Sequence, residues 1–200
     1  VLGGAGPVFC AGFDLDLCEE DSAVSAALMQ RLSGAIRALR RLPAPVVAAA
    51  HGAAIAGGCA LLGGCDVVVT DRGARLGYPV VRLGMSPAVS GPTLAQMVPG
   101  GALRRLLLDP GLIDGARALR LGLAHELCDE PGDVTDRAIE LAHALARKPP
   151  HGLRATKRWL NEIDGSDRDD PFDTALAASL SIAGGPDERA RLAAMRGARP

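Results

Sequence analysis

Two short glycine-containing stretches hold the groups in this chain that could do chemistry: FCAGFDL at residues 9–15 and HGAAIAGGCALLGGCD at residues 51–66. In the second, Gly57 and Gly58 have no Cβ, so the backbone there can pass close to a ligand. An apolar run, PVVAAA (45–50), precedes it and VVVT (67–70) follows it. The pattern predicts a buried strand, a glycine turn, a small-residue helix and a second strand. A helix that opens at such a turn points its free N–H groups at whatever occupies the turn, where an anionic oxygen can be held. In the first stretch, Gly12 can adopt a backbone angle that turns the N–H of Phe13 inward.

The side chains that could move protons are few, and each has a structural alternative. Tyr78 could donate a proton or simply pack on the core. Ser86 and Ser90 fall in VVRLGMSPAVSGP (80–92), where serine usually serves turn geometry. Asp14, Glu19 and Glu20 could reach inward from the first loop or remain solvated. Cys59 reads as core, and His51 as a structural histidine at a strand end. His125, His143 and His151 have no metal-ligand spacing between them, so no metal site is expected.

The elements that must position these groups follow from periodicity and punctuation. Residues 1–9 read as a strand exit and a Gly/Pro turn. After an acidic patch, Ser22 is a candidate N-cap for an amphipathic helix carrying Val24, Leu28, Leu32, Ile36 and Leu39, stopped by Pro43. Arg37, Arg40 and Arg41 cluster at its C-terminal end, where the helix dipole favours them. A short strand is expected at 75–78, then the 80–92 loop as a pocket wall, then short helices at 93–98 and 102–108. Asp114 caps a helix at 115–121 that ends at Gly122, and a last strand lies within 123–129. From 131 onward the pattern is helical, with segments near 134–147, 151–163, 171–183 and 186–196. The expected architecture is a layered α/β core over 1–130 with an α-helical region over 131–200.

Composition narrows the function classes. The chain has 200 residues, 48% hydrophobic and 22% charged, with a net charge of −1, so nothing favours nucleic acid or an anionic membrane as partner. Aromatic residues are only 2%, which removes base-stacking platforms and requires a core of small side chains. Cys10, Cys18, Cys59, Cys65 and Cys128 form no CxxC pair and read as reduced thiols in a cytoplasmic protein. No run reaches transmembrane length. The chain opens on Val, in what reads as the end of a strand, and an N-terminally incomplete core is therefore expected.

Taken in order, five segments resemble the crotonase, or enoyl-CoA hydratase/isomerase, family. They are FCAGFDL (9–15), HGAAIAGGCALLGGCDVVV (51–69), LGYPVVRLGMSPAVSG (76–91), ARALRLGL (116–123) and ATKRWLN (155–161). The resemblance implies an α/β spiral of βββα-like turns with a helical C-terminal region that supports trimerisation, some N-terminal strands being absent from this sequence. It implies an acyl-CoA thioester as substrate, coenzyme A entering only as part of that substrate, and no other cofactor. By position, the backbone N–H groups of Phe13 and Gly57 would form the oxyanion hole for a thioester enolate. That matches the two turns read from the residues, since negative charge developing there would meet N–H donors. Ala11, Asp14, Leu15, Pro79 and Val80 would line the substrate and CoA site. Lys157 matches a family lysine that could bear on CoA phosphates or on a helix end, or equally be a solvated lysine. A homotrimer or dimer of trimers is implied, with Leu180, Ile182, Leu192 and Met195 as candidate contacts between subunits or within one.

The residues also depart from the family. Where its hydratases carry two glutamates, this chain has Ala60 and Val80, and Ala88 stands where some relatives carry an aspartate. Hydration of an enoyl thioester needs a base for water and an acid for Cα, and neither Ala nor Val transfers a proton. Three readings stay open: a hydratase or isomerase with a displaced acid–base group, a malonyl-type decarboxylase that needs no protein base, and a non-catalytic acyl-CoA-binding or oligomer-forming relative.

Overall fold

In the computed structural model, which describes residues 1–109 and 111–197, two small sheets share one core with the helices around them. In chain order the elements are β1 (Leu2–Gly3), α1 (Leu15–Glu20), α2 (Ser22–Arg41), β2 (Val47–Ala50), β3 (Ala53–Ile55), α3 (Gly57–Leu62), β4 (Val67–Asp71) and β5 (Arg75–Gly77). Two 3-10 turns, Pro79–Leu83 and Ala88–Ser90, lead to α4 (Gly91–Met97), α5 (Gly100–Leu108), β6 (Ile113–Asp114), α6 (Gly115–Leu121) and β7 (Glu126–Cys128). After a third 3-10 turn come α7 (Val134–Ala146), α8 (Pro150–Asp164), α9 (Asp170–Leu180) and α10 (Pro186–Gly197).

One sheet runs β1-β2-β4-β7, all parallel, and the other β3-β5-β6. β3 and β5 are parallel, and β6 joins β5 antiparallel. The unbroken apolar run of β2 is explained by cover on both faces, as parallel sheets require. Ala48 and Ala50 face the main core with Ile36, Leu62 and Val68, whereas Val47 and Ala49 face Val134 and Ala138 of α7. Small side chains let these layers approach closely, consistent with the scarcity of aromatics.

The long helix forms where the periodicity places it, but its cap is Asp21 rather than Ser22: the Asp21 carboxylate accepts the N–H of Ala23 at 2.8 Å. Asp114 caps α6 through the N–H of Arg117 at 2.6 Å, and Gly122 ends it in the left-handed region (φ 84°). Three of the four arginines of α2, Arg37, Arg40 and Arg41, do more than answer a helix dipole, because they hold the C-terminal helices to the core. Arg40 pairs with Asp164 at 2.7 Å, Arg41 with Asp169 at 2.7 Å and Arg37 with Asp173 at 2.8 Å. Arg37 and Arg41 also lie 5.8 and 5.9 Å from the ring centre of Phe172. The segment over 80–92, expected to be a loop, carries the two 3-10 turns and the first residues of α4, with 84–87 left irregular between the turns.

Lys157 is a structural cation. It is buried, donates to the Asp66 carboxylate at 2.7 Å and to the carbonyl of Ala44 at 3.0 Å, and approaches that of Leu39 at 3.4 Å. The same Asp66 oxygen accepts the N–H of Val46 at 2.7 Å, so α8 is tied to the end of α2 and the entry of β2. This corrects the possible role at CoA phosphates and settles the helix-end alternative. Removing one partner of a buried pair costs about 3 kcal/mol or more. Lys157→Met is therefore expected to lower the unfolding free energy by about that amount in urea titrations, and a loss below about 0.5 kcal/mol would contradict the assignment.

His125 acts on the β4–β7 junction: its Nδ1 accepts the N–H of Val68 at 2.8 Å, which fixes the neutral tautomer with the proton on Nε2. Partial desolvation of the ring, with a smaller contribution from Arg40, lowers its pKa below the ordinary 6.5. Below pH 6.5 the unfolded chain takes up this proton more readily than the folded one, so stability falls as pH drops toward the depressed folded value. The melting temperature is expected to fall between pH 7.5 and pH 5.5 more in the native chain than in His125→Asn, whose amide oxygen can still accept from Val68. Equal falls would remove His125 as the cause.

Candidate functional site

The two glycine-containing stretches meet through the backbone. Cys10 bridges to β3: its N–H donates to the carbonyl of Ala53 at 3.1 Å and its carbonyl accepts from Ile55 at 2.9 Å. The chains are so close beyond this point that a Cβ on Gly58 would lie 2.2 Å from the Cys10 carbonyl oxygen. Gly12, at φ +103°, would with a Cβ sit 3.1 Å from the Cβ of Ala56 and 3.6 Å from the nitrogen of Gly57. Gly57 in turn faces the ring of Phe13, 3.2 Å from its own ideal Cβ position.

Ala56, just before α3, has φ 53° and ψ −116°, the one positive φ outside glycine among the described residues. Such a conformation costs on the order of 1–3 kcal/mol and persists only where its surroundings fix it. Here its N–H donates to Gly77 at 2.8 Å and its carbonyl accepts from Ala60 at 3.0 Å, locking the turn between β5 and α3. The consequence falls on the next residue. Among the described residues, no hydrogen bond claims the N–H of Gly57 or that of Phe13. α3 has only six residues, so these direct donors matter more at the site than any macrodipole.

Both residues line a cavity of about 610 Å³. Of the sequence-derived site residues, Phe13, Gly57, Ala11, Leu15, Pro79 and Val80 all line it. Asp14 does not: it is exposed, and its carboxylate caps α1 through the N–H of Asp16 at 3.1 Å and that of Leu17 at 3.4 Å. Ala60 lies in the lining, and Ala88 does not. No Asp or Glu is part of the lining among the described residues, which leaves Glu19 and Glu20 outside it as well. His51 is also outside, its Nε2 3.0 Å from the carbonyl of Gly6, bracing the first loop.

Three hydroxyl groups remain in the wall. Tyr78 is buried and donates to the carbonyl of Cys59 at 3.3 Å. Burial pushes its phenol well above the ordinary value, so it stays protonated. The neighbouring Cys59 thiol, also buried, is pushed up to about 12 and stays neutral. Ser86 Oγ accepts the N–H of Ala88 at 3.3 Å and keeps its own proton free. Ser90 is buried, and its hydroxyl has no partner among the described residues.

Other parts of the lining were not picked out as site residues. Met29 and Leu32 of α2 belong to the apolar stripe that identified the helix, but periodicity does not say which of its residues face a cavity. Arg191, Ala194 and Met195 come from α10, far along the chain. α10 is held over the site by Leu192, packed with Cys18, Met29 and Met85, and by Glu188, buried and bonded to Ser25 and to the N–H of Gly184 at 2.9 Å. No group of three or more His, Cys, Asp or Glu side chains could hold a metal ion among the described residues, and no helix there is long and apolar enough to cross a membrane.

The chain matches the family model for enoyl-CoA hydratase/isomerase over residues 1–170. It is 35% identical over 186 residues to a protein of Thermus thermophilus assigned as an enoyl-CoA hydratase, covering 91% of this chain and 73% of that protein. It is 32% identical over 180 residues to the short-chain-enoyl-CoA hydratase of Clostridium acetobutylicum, covering 88% and 67%. A crystal structure of an enoyl-CoA hydratase/isomerase from Mycobacterium paratuberculosis superposes with a TM-score of 0.86 at 29% identity, covering 96% of this chain and 78% of that one.

The two glycines of the turn make opposite predictions. At Gly58 an added methyl group meets fixed backbone, and Gly58→Ala is expected to cost about 3 kcal/mol by overpacking. At Gly57 it meets only the edge of the Phe13 ring, which can give way, and Gly57→Ala is expected to cost less than about 1 kcal/mol. Equal losses in thermal or urea unfolding would contradict the close approach at Cys10.

Proposed function

The chain belongs to the enoyl-CoA hydratase/isomerase family, and we propose that it acts on an acyl-CoA thioester whose carbonyl oxygen is held by the N–H groups of Phe13 and Gly57. The observation that carries this reading is the pair of unclaimed N–H groups on adjoining turns at the edge of one apolar cavity. Donors fixed before the reaction stabilise charge as it develops on the thioester oxygen, and loss of one typically costs on the order of 10²–10³ in kcat. Coenzyme A is required only as part of the substrate.

Hydratase or isomerase chemistry is the first reading. Adding water to Cβ places negative charge on the thioester oxygen, and a proton must then reach Cα. With Ala60 and Val80 where the family's hydratases carry glutamates, the groups left in the wall to carry protons are the hydroxyls of Tyr78, Ser86 and Ser90. The absence of a carboxylate from the described lining favours a second reading, decarboxylation of a malonyl-type thioester. In that reaction the bond from Cα to the carboxylate breaks, its electron pair becomes the enolate, CO₂ leaves, and Cα takes a proton from water or a wall hydroxyl. No protein base is needed, and an apolar wall at Ala60 and Val80 disfavours a charged carboxylate at Cα relative to the neutral product. A homotrimer or dimer of trimers belongs to the same proposal. Trp159, Leu160 and Ile163, exposed together on α8, supply apolar surface for it, whereas Leu192 is buried within its own chain.

The deciding experiment incubates the protein with crotonyl-CoA and with methylmalonyl-CoA and follows products by mass spectrometry. Gain of water supports the first reading and loss of CO₂ the second. Binding of both without turnover would overturn catalysis and leave an acyl-CoA-binding protein. Gly57→Pro deletes one N–H and is expected to reduce either activity by about a hundredfold or more; unchanged turnover would remove Gly57 from the oxyanion hole.

A further inference from the structure

The cavity has two charged side chains in its lining, Arg82 and Arg191, and both are cations. They come from elements far apart in sequence, Arg82 from the 3-10 turn Pro79–Leu83 and Arg191 from α10. The two elements pack on each other, and at Gly84 the approach is so close that a Cβ there would lie 2.8 Å from the nitrogen of Glu188. Most arginines of α2 are engaged, as described above, in ion pairs with Asp164, Asp169 and Asp173. Arg82 and Arg191 have no ion pair or hydrogen bond among the described residues. Asp187, one turn before Arg191 on the same helix, forms no pair with it, and the buried Glu188 is occupied by Ser25 and Gly184.

Arg82 and Arg191 are both solvent-exposed where they line the otherwise apolar cavity, and the described residues supply neither with a counter-charge. An uncharged acyl chain would leave both without one. A carboxylate supplies it and can be gripped by guanidinium groups in the plane their donors favour. A cavity of about 610 Å³ is on the scale of one small ligand, enough for an acyl chain and its thioester but not for the CoA nucleotide as well. We infer that Arg82 and Arg191 form a carboxylate-binding pair that selects acyl thioesters ending in a second, remote carboxylate. This rests on the thioester reading proposed above and names the substrate class within it.

The test uses two enoyl thioesters of equal chain length, one ending in a methyl group and one in a carboxylate. Each is prepared both on CoA and on pantetheine, which carries no phosphate, and binding is measured by calorimetry. The native chain is expected to bind the carboxylated ester about tenfold more tightly or better on both carriers, the scale of one hydrogen bond to a charged group. Arg82→Ala and Arg191→Ala are expected each to abolish that preference, weakening the carboxylated ester about tenfold more than the neutral one on both carriers, with the melting temperature unchanged. Arg82→Lys and Arg191→Lys should keep part of it. If the alanine variants weaken both CoA esters equally and neither pantetheine ester, the pair reads nucleotide phosphates and the inference falls. Binding of the neutral and carboxylated esters with equal affinity by the native chain overturns this inference alone. Binding of neither overturns the thioester reading together with it.

Discussion

The site depends on the backbone contact between Cys10 and β3. Its two hydrogen bonds, to Ala53 and from Ile55, align the first loop with the turn that precedes α3. Without that alignment Phe13 and Gly57 would each be an ordinary turn residue. With it, both residues, their N–H groups unclaimed among the described residues, line the same cavity. The contact is possible only because residue 58 has no side chain, and the geometry beyond it requires a left-handed residue at Gly12. The glycines thus act as spacers: what matters at 58 is the absent Cβ, and at 12 the permitted angle.

A second constraint closes the site from the other end of the chain. Arg37, Arg40 and Arg41 hold α8, α9 and the segment between them against α2, and Lys157 holds α8 to Asp66. These contacts bring the chain to where α10 can lie across the cavity, fastened there by Leu192 and Glu188. A C-terminal region that reads as a helical appendage therefore contributes part of the wall of the site. The core and the helices after Val134 are coupled through buried charge as well as apolar contact, and the cavity takes its shape from both.

Much of this was legible from residue pattern, because the signals were local. The α2 stripe, the Asp114 cap, the Gly122 stop and the helical segments after 131 each depend on neighbours within a turn or two, and the structure reproduces them with boundaries shifted by a few residues. β3 was not separable from β2, since only two residues divide them and the apolar character runs through both. The change of sheet at His51 and Gly52 is a tertiary event: Gly52 takes φ +66° and donates to the buried Asp71 carboxylate at 2.6 Å. Asp14, which the resemblance places along the CoA arm, lies outside the cavity lining and caps α1. Arg82 and Arg191 drew no attention because arginine on a polar helix face or in a turn carries no local signal; their meaning comes from being brought to one cavity without an acidic partner.

The electrostatics of the cavity have one sign. Phe13 and Gly57 present N–H dipoles, Arg82 and Arg191 present charge, and no carboxylate lies in the described lining to oppose them. The titratable Tyr78 and Cys59 are held neutral by burial, so they add no negative charge at ordinary pH. An apolar wall lowers the local dielectric and strengthens each of these interactions relative to water. The strained Ala56 turn, held by Gly77 and Ala60, fixes the position of the Gly57 N–H that follows it. With Ala60 and Val80 in the described lining and no Asp or Glu there, the wall holds neither a carboxylate to transfer a proton nor a negative charge to oppose an anionic oxygen.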